Sequence, residues 1–380
     1  MQVGVVKETH PGERRVALVP ESVGKLTGAG IDVVVEAGAG ADAGFTDAMY
    51  EKAGGGMRSS AADVLGSCDV LLKVRAPTHD GAKPEIEALR SGSAVIALLQ
   101  PLTSPDLVRA LAARGLTSLA MELIPRITKA QSMDALSSQA TVAGYKAVLI
   151  AAAASPRLFP MLMTAAGTIA PSRVLVVGAG VAGLQAIATA RRLGAIVEGY
   201  DVRPDVKEQV ESLGARWVGL AMEEAVGAGG YAQEVSQEAQ DRALQHLHKL
   251  VAAADVVIAT AQIPGRRAPL LITEAMVHAM QPGSVIVDLA AESGGNCALT
   301  VAGEDVVVNG VLVMGPADLA ATMPLHASQM YSRNLVTLLQ HLMKDGALVI
   351  DTGDEITQGC LVTKGGEVVH EGTRSALTAS

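Results

Sequence analysis

The sequence is poor in aromatic side chains and in positive charge. Phe, Trp and Tyr make up only 2% of its 380 residues, so it lacks the aromatic platforms on which proteins stack unpaired bases. Its 39 acidic and 30 basic residues give a net charge of −9, which supplies no basic surface for nucleic acid or anionic lipid. We therefore expect no nucleic acid among its ligands.

Cysteines and long apolar runs are also scarce. Cys68, Cys297 and Cys360 lie far apart and form no CxxC or Cys/His spacing, which indicates neither a disulfide framework nor a metal site. The longest apolar candidate, 147–154, falls far short of the roughly 20 residues that span a bilayer. The N-terminus has no basic segment followed by an apolar one. We expect a cytoplasmic chain that does not insert into the membrane.

What the sequence has in abundance is the alternation of β-branched apolar runs with helical stretches, as in 32–36, 70–74, 94–99, 254–261 and 283–290. This alternation predicts an α/β fold: two Rossmann-like or flavodoxin-like lobes with parallel sheets and a nucleotide cleft between them. We expect a discontinuous lobe from 1–135 and 325–380, a second lobe over 136–324, and a long helix over 130–154 that links them.

The most informative segment is a dinucleotide motif. The apolar run 174–177 leads into Gly178, Gly180 and Gly183 in GxGxxG spacing, and Asp201 follows the next strand. The first two glycines allow a tight turn and a close approach to a pyrophosphate, and the third allows the helix to pack on the strand. The pyrophosphate faces the helix N-terminus. A lone GxGxxG is often only a flexible turn, but the complete pattern predicts a nucleotide site.

The residues after this strand decide between NAD(H) and NADP(H). An acid such as Asp201 accepts hydrogen bonds from the adenosine ribose and repels a 2′-phosphate, whereas an arginine such as Arg203 can bind that phosphate. The acid faces the ribose oxygens directly, and we therefore expect NAD(H) as the cofactor. Backbone N–H groups could instead satisfy Asp201.

Several further motifs carry a family resemblance; they are 126–139 (RITKAQSMDALSSQ), 161–171, 178–190, 202–210, 229–232 and 288–297. They resemble the NAD(H)-binding component, domain I, of proton-translocating nicotinamide nucleotide transhydrogenases, over nearly the whole chain. The resemblance implies Si-/Re-specific hydride transfer from NADH bound here directly to NADP+ on a partner domain. Membrane subunits would couple that transfer to proton translocation.

The resemblance also implies which residues serve the reaction. Arg126, Gln131, Asp134 and Ser137 occupy the family's positions for orienting the nicotinamide. The last three are spaced by three residues, which predicts one face of a helix near its start. Helix capping is the alternative role for Asp134 and Ser137.

Further cofactor contacts follow from the same resemblance. They are Val181, Ala182, Val202, Arg203, Gly230, Tyr231, Thr260 and Ala261. Tyr231 lies in an irregular, glycine-bearing stretch over 221–240 and resembles the tyrosine of the family's mobile loop; the alternative is an ordinary surface aromatic.

The resemblance implies partners as well. In the family this component is a homodimer that works with transmembrane and NADP(H)-binding subunits. We expect those parts on other polypeptides, with this chain held at the inner face of the membrane by protein contacts.

Two other functions stay open. Alanine dehydrogenases share the opening Lys7-Glu8, the downstream Arg15 and a lysine at the position of Lys73, but they use a histidine as acid/base where this chain has Leu99. An aliphatic side chain cannot move the proton that amino-acid oxidation requires. A regulatory NAD(H)-binding module would need the glycines and Asp201 but not Arg126, Gln131 and Ser137.

Overall fold

The computed structural model describes residues 1–82, 84–220, 237–263 and 265–379. Contacts divide the chain into two compact units, Met1–Gln139 with Ala321–Ser380 and Ala140–Ala320. The strands, in chain order, are β1 Gln2–Val5, β2 Asp32–Glu36, β3 Gly56–Arg58, β4 Val70–Arg75, β5 Ala94–Leu98, β6 Thr117–Ala120, β7 Leu162–Thr164, β8 Gly167–Ile169, β9 Arg173–Val177, β10 Ile196–Tyr200, β11 Arg216–Trp217, β12 Val256–Ala259, β13 Val285–Asp288, β14 Asp305–Val308, β15 Val311–Met314, β16 Met343–Lys344, β17 Ala347–Leu348, β18 Leu361–Lys364 and β19 Glu367–Val368.

The helices, in the same order, are α1 Pro20–Gly28, α2 Asp47–Lys52, α3 Ala61–Leu65, α4 Glu85–Ala88, α5 Pro105–Ala113, α6 Ala135–Ala154, α7 Val181–Arg192, α8 Lys207–Ser212, α9 Gln237–Ala253, α10 Glu274–Ala279, α11 Pro324–His341, α12 Glu355–Cys360 and α13 Glu371–Ala379. Among the described helices, none is long and apolar enough to cross a bilayer.

The first unit is built on a sheet with the strand order β19-β18-β6-β5-β4-β1-β2-β3. Strands β1 to β6 pair in parallel, whereas β18 and β19 are antiparallel. Strand β4 is almost entirely buried, as expected for a parallel strand covered on both faces.

Helix α11 ties the C-terminal segment to this sheet's N-terminal loops. The hydroxyl oxygens of Ser328 and Ser332, one helical turn apart, accept hydrogen bonds from Val16 N and Val19 N at 3.0 and 3.1 Å. The buried Tyr331 hydroxyl donates to the Lys73 carbonyl at 2.9 Å. These bonds satisfy backbone groups of a loop that would otherwise be buried without partners.

The second unit has the sheet order β11-β10-β9-β12-β13-β15-β14. All neighbours pair in parallel except β14 and β15, which form an antiparallel hairpin at the edge. Strands β12 and β13 are buried throughout. The predicted α/β fold class is confirmed, with antiparallel strands at one edge of each main sheet.

The segment expected to be one helix over 130–154 is different. Residues Thr128–Met133 form a 3-10 helix, and α6 begins only at Ala135. Asp134 lies between the two, and its carboxylate accepts hydrogen bonds from the Ser137 N–H at 2.8 Å and the Ser137 hydroxyl at 2.6 Å. An aspartate with these contacts is an N-cap, which starts a new helix at the following residue.

Candidate functional site

The glycine motif forms the turn from β9 into α7 in the second unit. Gly178 has φ +99°, and a Cβ there would lie 2.8 Å from Thr260 Oγ1. A Cβ at Gly183 would overlap the Gly178 carbonyl oxygen. Side chains are therefore excluded at both positions by the fold itself, which accounts for two of the three glycines.

Gly180 differs from its neighbours because the fold does not require it. Its φ of −77° and ψ of −167° suit any residue, and a Cβ there would meet no atom within 4 Å. Glycine at this position leaves room at the N-terminus of α7, where the first N–H groups lack partners within the helix. A pyrophosphate fits this combination of open space, N–H donors and helix dipole.

The helix start lies beside this space. Val181 is exposed, at 38% of its surface, whereas Ala182 is partly buried. A Cβ at Gly144 of α6 would overlap the Ala182 carbonyl oxygen, so α6 packs directly against the first turn of α7. Close packing by α6 fixes the direction of the N–H groups that the turn presents.

Asp201 lies directly after β10 and is 6% exposed. Its Oδ2 accepts a hydrogen bond from Ala179 N in the glycine turn at 2.8 Å. Its carboxylate also pairs with the Arg203 guanidinium, with Nη2 2.7 Å from Oδ2. The acid is thus attached to the turn as expected, and Arg203 occupies it. Val202, between them, is partly buried against the core.

A third loop meets the glycine turn at the carboxyl end of β12. The Thr260 hydroxyl donates to the Gly178 carbonyl at 2.9 Å. Ala261 N donates to Asn296 Oδ1 at 3.0 Å, and Asn296 Nδ2 donates to the carbonyls of Ala261 at 2.8 Å and Pro269 at 2.9 Å. The structure therefore brings Gly178, Thr260, Ala261 and Asp201 together at one edge of the sheet.

The residues expected to orient the nicotinamide lie in the first unit. Arg126 and Gln131 are exposed, and Asp134 and Ser137 are half-buried. Because Gln131 belongs to the 3-10 helix and Ser137 to α6, the expectation of one helical face is wrong. The capping role weighed for Asp134 and Ser137 is present in the structure, and it holds both side chains in place.

Leu99 directly follows β5 and is 1% exposed, packed in an apolar cluster. The side chain of Glu122 holds this turn: its Oε1 accepts hydrogen bonds from Leu99 N at 2.9 Å and from Gln100 N. Burial raises the pKa of Glu122 to about 7. The position that matches the histidine of alanine dehydrogenases is therefore an aliphatic core residue.

The charged residues shared with alanine dehydrogenases pair with one another. Lys73 Nζ lies 2.9 Å from Glu85 Oε1 and 3.4 Å from Glu8 Oε2, and all three side chains are buried. Desolvation opposes the charge on Lys73, but the two carboxylates outweigh it and raise its pKa. Such a lysine stays protonated and acts as a structural counter-ion.

Arg15 forms a second buried pair. Its Nη2 lies 2.7 Å from Glu13 Oε2, with both side chains almost fully buried. Burial by itself would raise the pKa of Glu13, but the hydrogen bonds from Arg15 prevail and lower it to about 2. Arg15 Nη1 also donates to Gln139 Oε1 at 2.8 Å. Both clusters are saturated by contacts within the unit.

Two of the expected cofactor contacts, Gly230 and Tyr231, lie outside the described residues. The stretch expected to be irregular over 221–240 ends earlier than predicted, because α9 begins at Gln237.

Sequence reasoning missed two residues. Asn296 belongs to the motif 288–297, but nothing in that motif indicates that its amide holds Ala261, 35 residues away. Glu122 follows β6 without any motif, and only its burial beside the Leu99 turn shows its role.

Comparisons with known proteins place the chain in a family. The domains described as "Alanine dehydrogenase/PNT, N-terminal domain" and "Alanine dehydrogenase/PNT, C-terminal domain" match residues 4–143 and 147–371. In Rhodospirillum rubrum, the alpha subunit of NAD(P) transhydrogenase is divided into separately named parts, and the chain is 47% identical to the first of them over 376 residues. That match covers 97% of this chain and 98% of the relative.

Solved structures agree with this result. The chain resembles the transhydrogenase structure from Sinorhizobium meliloti with a TM-score of 0.88 and 48% identity, over 97% of this chain and 100% of that one. An L-alanine dehydrogenase structure has a TM-score of 0.85 but only 25% identity, over 100% of this chain and 99% of that one. The chain belongs to the alanine dehydrogenase/PNT family, on its transhydrogenase side.

Proposed function

We propose that this chain is the NAD(H)-binding component of a proton-translocating transhydrogenase. It holds NADH for direct, Si-/Re-specific hydride transfer to NADP+ on a partner domain, and it carries out no proton transfer of its own. The observation that carries this proposal is Leu99, a buried aliphatic residue at the position where alanine dehydrogenases have their acid/base histidine. The saturation of Lys73 by Glu8 and Glu85 supports the same conclusion.

The cofactor assignment rests on the glycine turn. Gly178 and Gly183 are required by contacts within the protein, whereas the open space at Gly180 suits a pyrophosphate. Asp201 accepts the adenosine ribose, and Thr260 and Ala261 close the carboxyl end of β12 beside the turn. Val181, Ala182 and Val202 supply backbone and packing contacts around it. Gly230 and Tyr231 remain predicted contacts.

The chemistry supplied by the bound cofactor is hydride donation from the nicotinamide. The protein must hold the nicotinamide so that the reacting atoms of the two rings come within roughly 3–3.5 Å. Arg126, Gln131 and Ser137 offer a guanidinium, an amide and a hydroxyl for the carboxamide and ribose. Asp134 orients Ser137 by the hydrogen bonds already described.

The partners follow from the same proposal. The name of the Rhodospirillum rubrum relative marks it as one portion of an alpha subunit, which supports further subunits that bind NADP(H) and span the membrane. This chain is then cytoplasmic and bound at the inner membrane face through those subunits.

We also propose that the chain is a homodimer through the β7–β8 hairpin. Both strands are exposed along their whole length, and Leu158, Met161, Leu162, Met163 and Ile169 expose 41–71% of their surfaces. An apolar arm of this kind gains by burial against a second copy.

The test of the proposed function uses the purified chain alone. Calorimetric titration with NADH should show binding, and addition of pyruvate and ammonium to the NADH complex should cause no oxidation, followed through the absorbance of the reduced nicotinamide. Oxidation of NADH under these conditions would show that the chain is a self-contained amino-acid dehydrogenase. Failure to bind NADH would refute the cofactor assignment.

A further inference from the structure

Arg203 covers the carboxylate of Asp201. Its Nε donates to Oδ1 at 3.0 Å and its Nη2 to Oδ2 at 2.7 Å, so the guanidinium meets the carboxylate end-on with one nitrogen on each oxygen. Arg203 N donates to Oδ1 at 2.9 Å, and Ala179 N donates to Oδ2 at 2.8 Å. A carboxylate has about four lone-pair sites, and four donors already use them.

The adenosine ribose needs the same edge of the carboxylate. Two adjacent hydroxyl groups donate best when each faces one oxygen, which is the arrangement that the guanidinium fork now has. The bonds from Ala179 N and Arg203 N come from the backbone and can remain. The guanidinium is the one of these donors that side-chain rotation can remove.

We propose that Arg203 is a specificity-determining residue that competes with the adenosine ribose for Asp201. Nucleotide binding exchanges the guanidinium fork for the ribose hydroxyls. This inference rests on the proposed function, because it assumes that NADH binds at the glycine turn.

The exchange affects the two nucleotides in opposite directions. For NADH, displacing Arg203 is a cost, because a charge-assisted, largely buried pair is replaced by neutral hydroxyls. For NADPH, the displaced guanidinium stays near the 2′ position, since its backbone N–H remains on Asp201, and it offsets the repulsion between Asp201 and the phosphate. Arg203 therefore reduces the preference for NADH over NADPH.

The experiment measures the Kd of NADH and NADPH by calorimetry for the wild-type chain and the variants R203A and R203K. In R203A we expect the Kd of NADH to fall about three- to tenfold and that of NADPH to rise. R203K keeps the charge but cannot form the fork, and its values should lie between. R173A is the control: Arg173 starts β9 at the opposite edge of the sheet and is half-exposed, so both Kd values should stay unchanged.

Each outcome decides the proposal. Unchanged or weaker NADH binding in a folded R203A chain would overturn it, and a parallel loss of both nucleotides would show that Arg203 contacts the cofactor directly. If R203A fails to fold, R203Q retains the length and one amide donor and answers the same question. Absence of NADH binding by the wild-type chain would overturn the proposed function as well, whereas wild-type binding without a shift in R203A overturns this inference alone.

Discussion

Asn296 holds Ala261 by both of its backbone polar groups: Asn296 Oδ1 accepts from Ala261 N at 3.0 Å, and Asn296 Nδ2 donates to Ala261 O at 2.8 Å. Asn296 is fully buried, and its own N–H donates to Asp288 Oδ2 at 2.7 Å. The loop after β12 is therefore set in position from β13, before any nucleotide arrives. Its neighbour Thr260 transmits that position to the glycine turn.

Replacing Asn296 with Ala should weaken NADH binding about tenfold, because Ala261 N and O lose their partners and the loop shifts. The unfolding free energy should also fall by about 1–3 kcal/mol. Ser284→Ala is the control: Ser284 is equally buried and donates to Ala254 O just before β13. Calorimetry should show normal NADH affinity for the control. Equal weakening in both variants would mean that Asn296 only stabilises the fold.

Gly183→Ala and Gly180→Ala should separate the two reasons for glycine. The new Cβ at residue 183 would overlap Gly178 O, so we expect a loss of about 1–3 kcal/mol in unfolding free energy. The Cβ at residue 180 meets no protein atom within 4 Å. Stability of this variant should change by less than about 0.5 kcal/mol.

The same G180A variant should bind NADH at least about tenfold more weakly, because its methyl group occupies the space for the pyrophosphate. Thermal unfolding and NADH titration of both variants test this contrast. Normal NADH affinity in G180A would remove the support for a pyrophosphate at this turn.

Gln131→Asn should reduce hydride transfer about 10- to 100-fold through misplacement of the nicotinamide, with a change in NADH Kd of less than about threefold. Gln131 is exposed, so stability should not change. Ser132→Ala, an exposed neighbour in the same 3-10 helix, is the control and should transfer hydride normally. Equal losses in binding and transfer in Q131N would assign Gln131 to general binding.

Glu122 should make stability depend on pH. Its pKa is raised by burial from the ordinary 4.5 to about 7, so the folded state binds the proton more tightly than the unfolded state. This contribution is complete below pH 4.5 and is lost as the pH rises through 7.

Relative to E122Q, wild type should therefore lose on the order of 3 kcal/mol of unfolding free energy between about pH 4.5 and pH 7.5. Urea unfolding at several pH values measures this difference. E21Q, at an exposed carboxylate paired with Lys25, should show no such loss. A pH-independent difference between wild type and E122Q would mean that Glu122 is ionised throughout.

Met163→Asp should shift the chain towards monomers, because it places a charge on the exposed apolar hairpin. Met163 exposes 71% of its surface, and Val307, on edge strand β14, exposes 67%. V307D is thus the matched control, and it should leave the oligomeric state unchanged. Sedimentation velocity gives both results. A dimer that persists in M163D, or a monomeric wild type, would refute the role of the hairpin.

The α/β fold followed from sequence because parallel strands are recorded locally. Buried strands such as β12 and β13 have to be apolar along their full length. The antiparallel edge strands were not predicted, because the pairing of β18 with β6 depends on contacts between residues more than 200 positions apart. The division between the 3-10 helix and α6 depends on one capping side chain, Asp134.

The site was predictable where it depends on backbone geometry. Gly178 and Gly183 occupy positions that exclude a side chain, and such positions show in the sequence as fixed glycines. The contacts of Asn296 and Glu122 arise only when distant loops fold together. The occupation of Asp201 by Arg203 also needed the structure, because the sequence suggests two separate roles for the pair.

Hydride transfer that depends on the partner domain tests the proposed function most sharply. The purified chain is mixed with NADH and an oxidised NAD analogue of shifted absorbance in the presence of NADP(H), with and without a purified NADP(H)-binding domain of a transhydrogenase. We expect rapid reduction of the analogue only when that domain is present. No reduction with the domain added, although both proteins bind their nucleotides, would refute the proposed function.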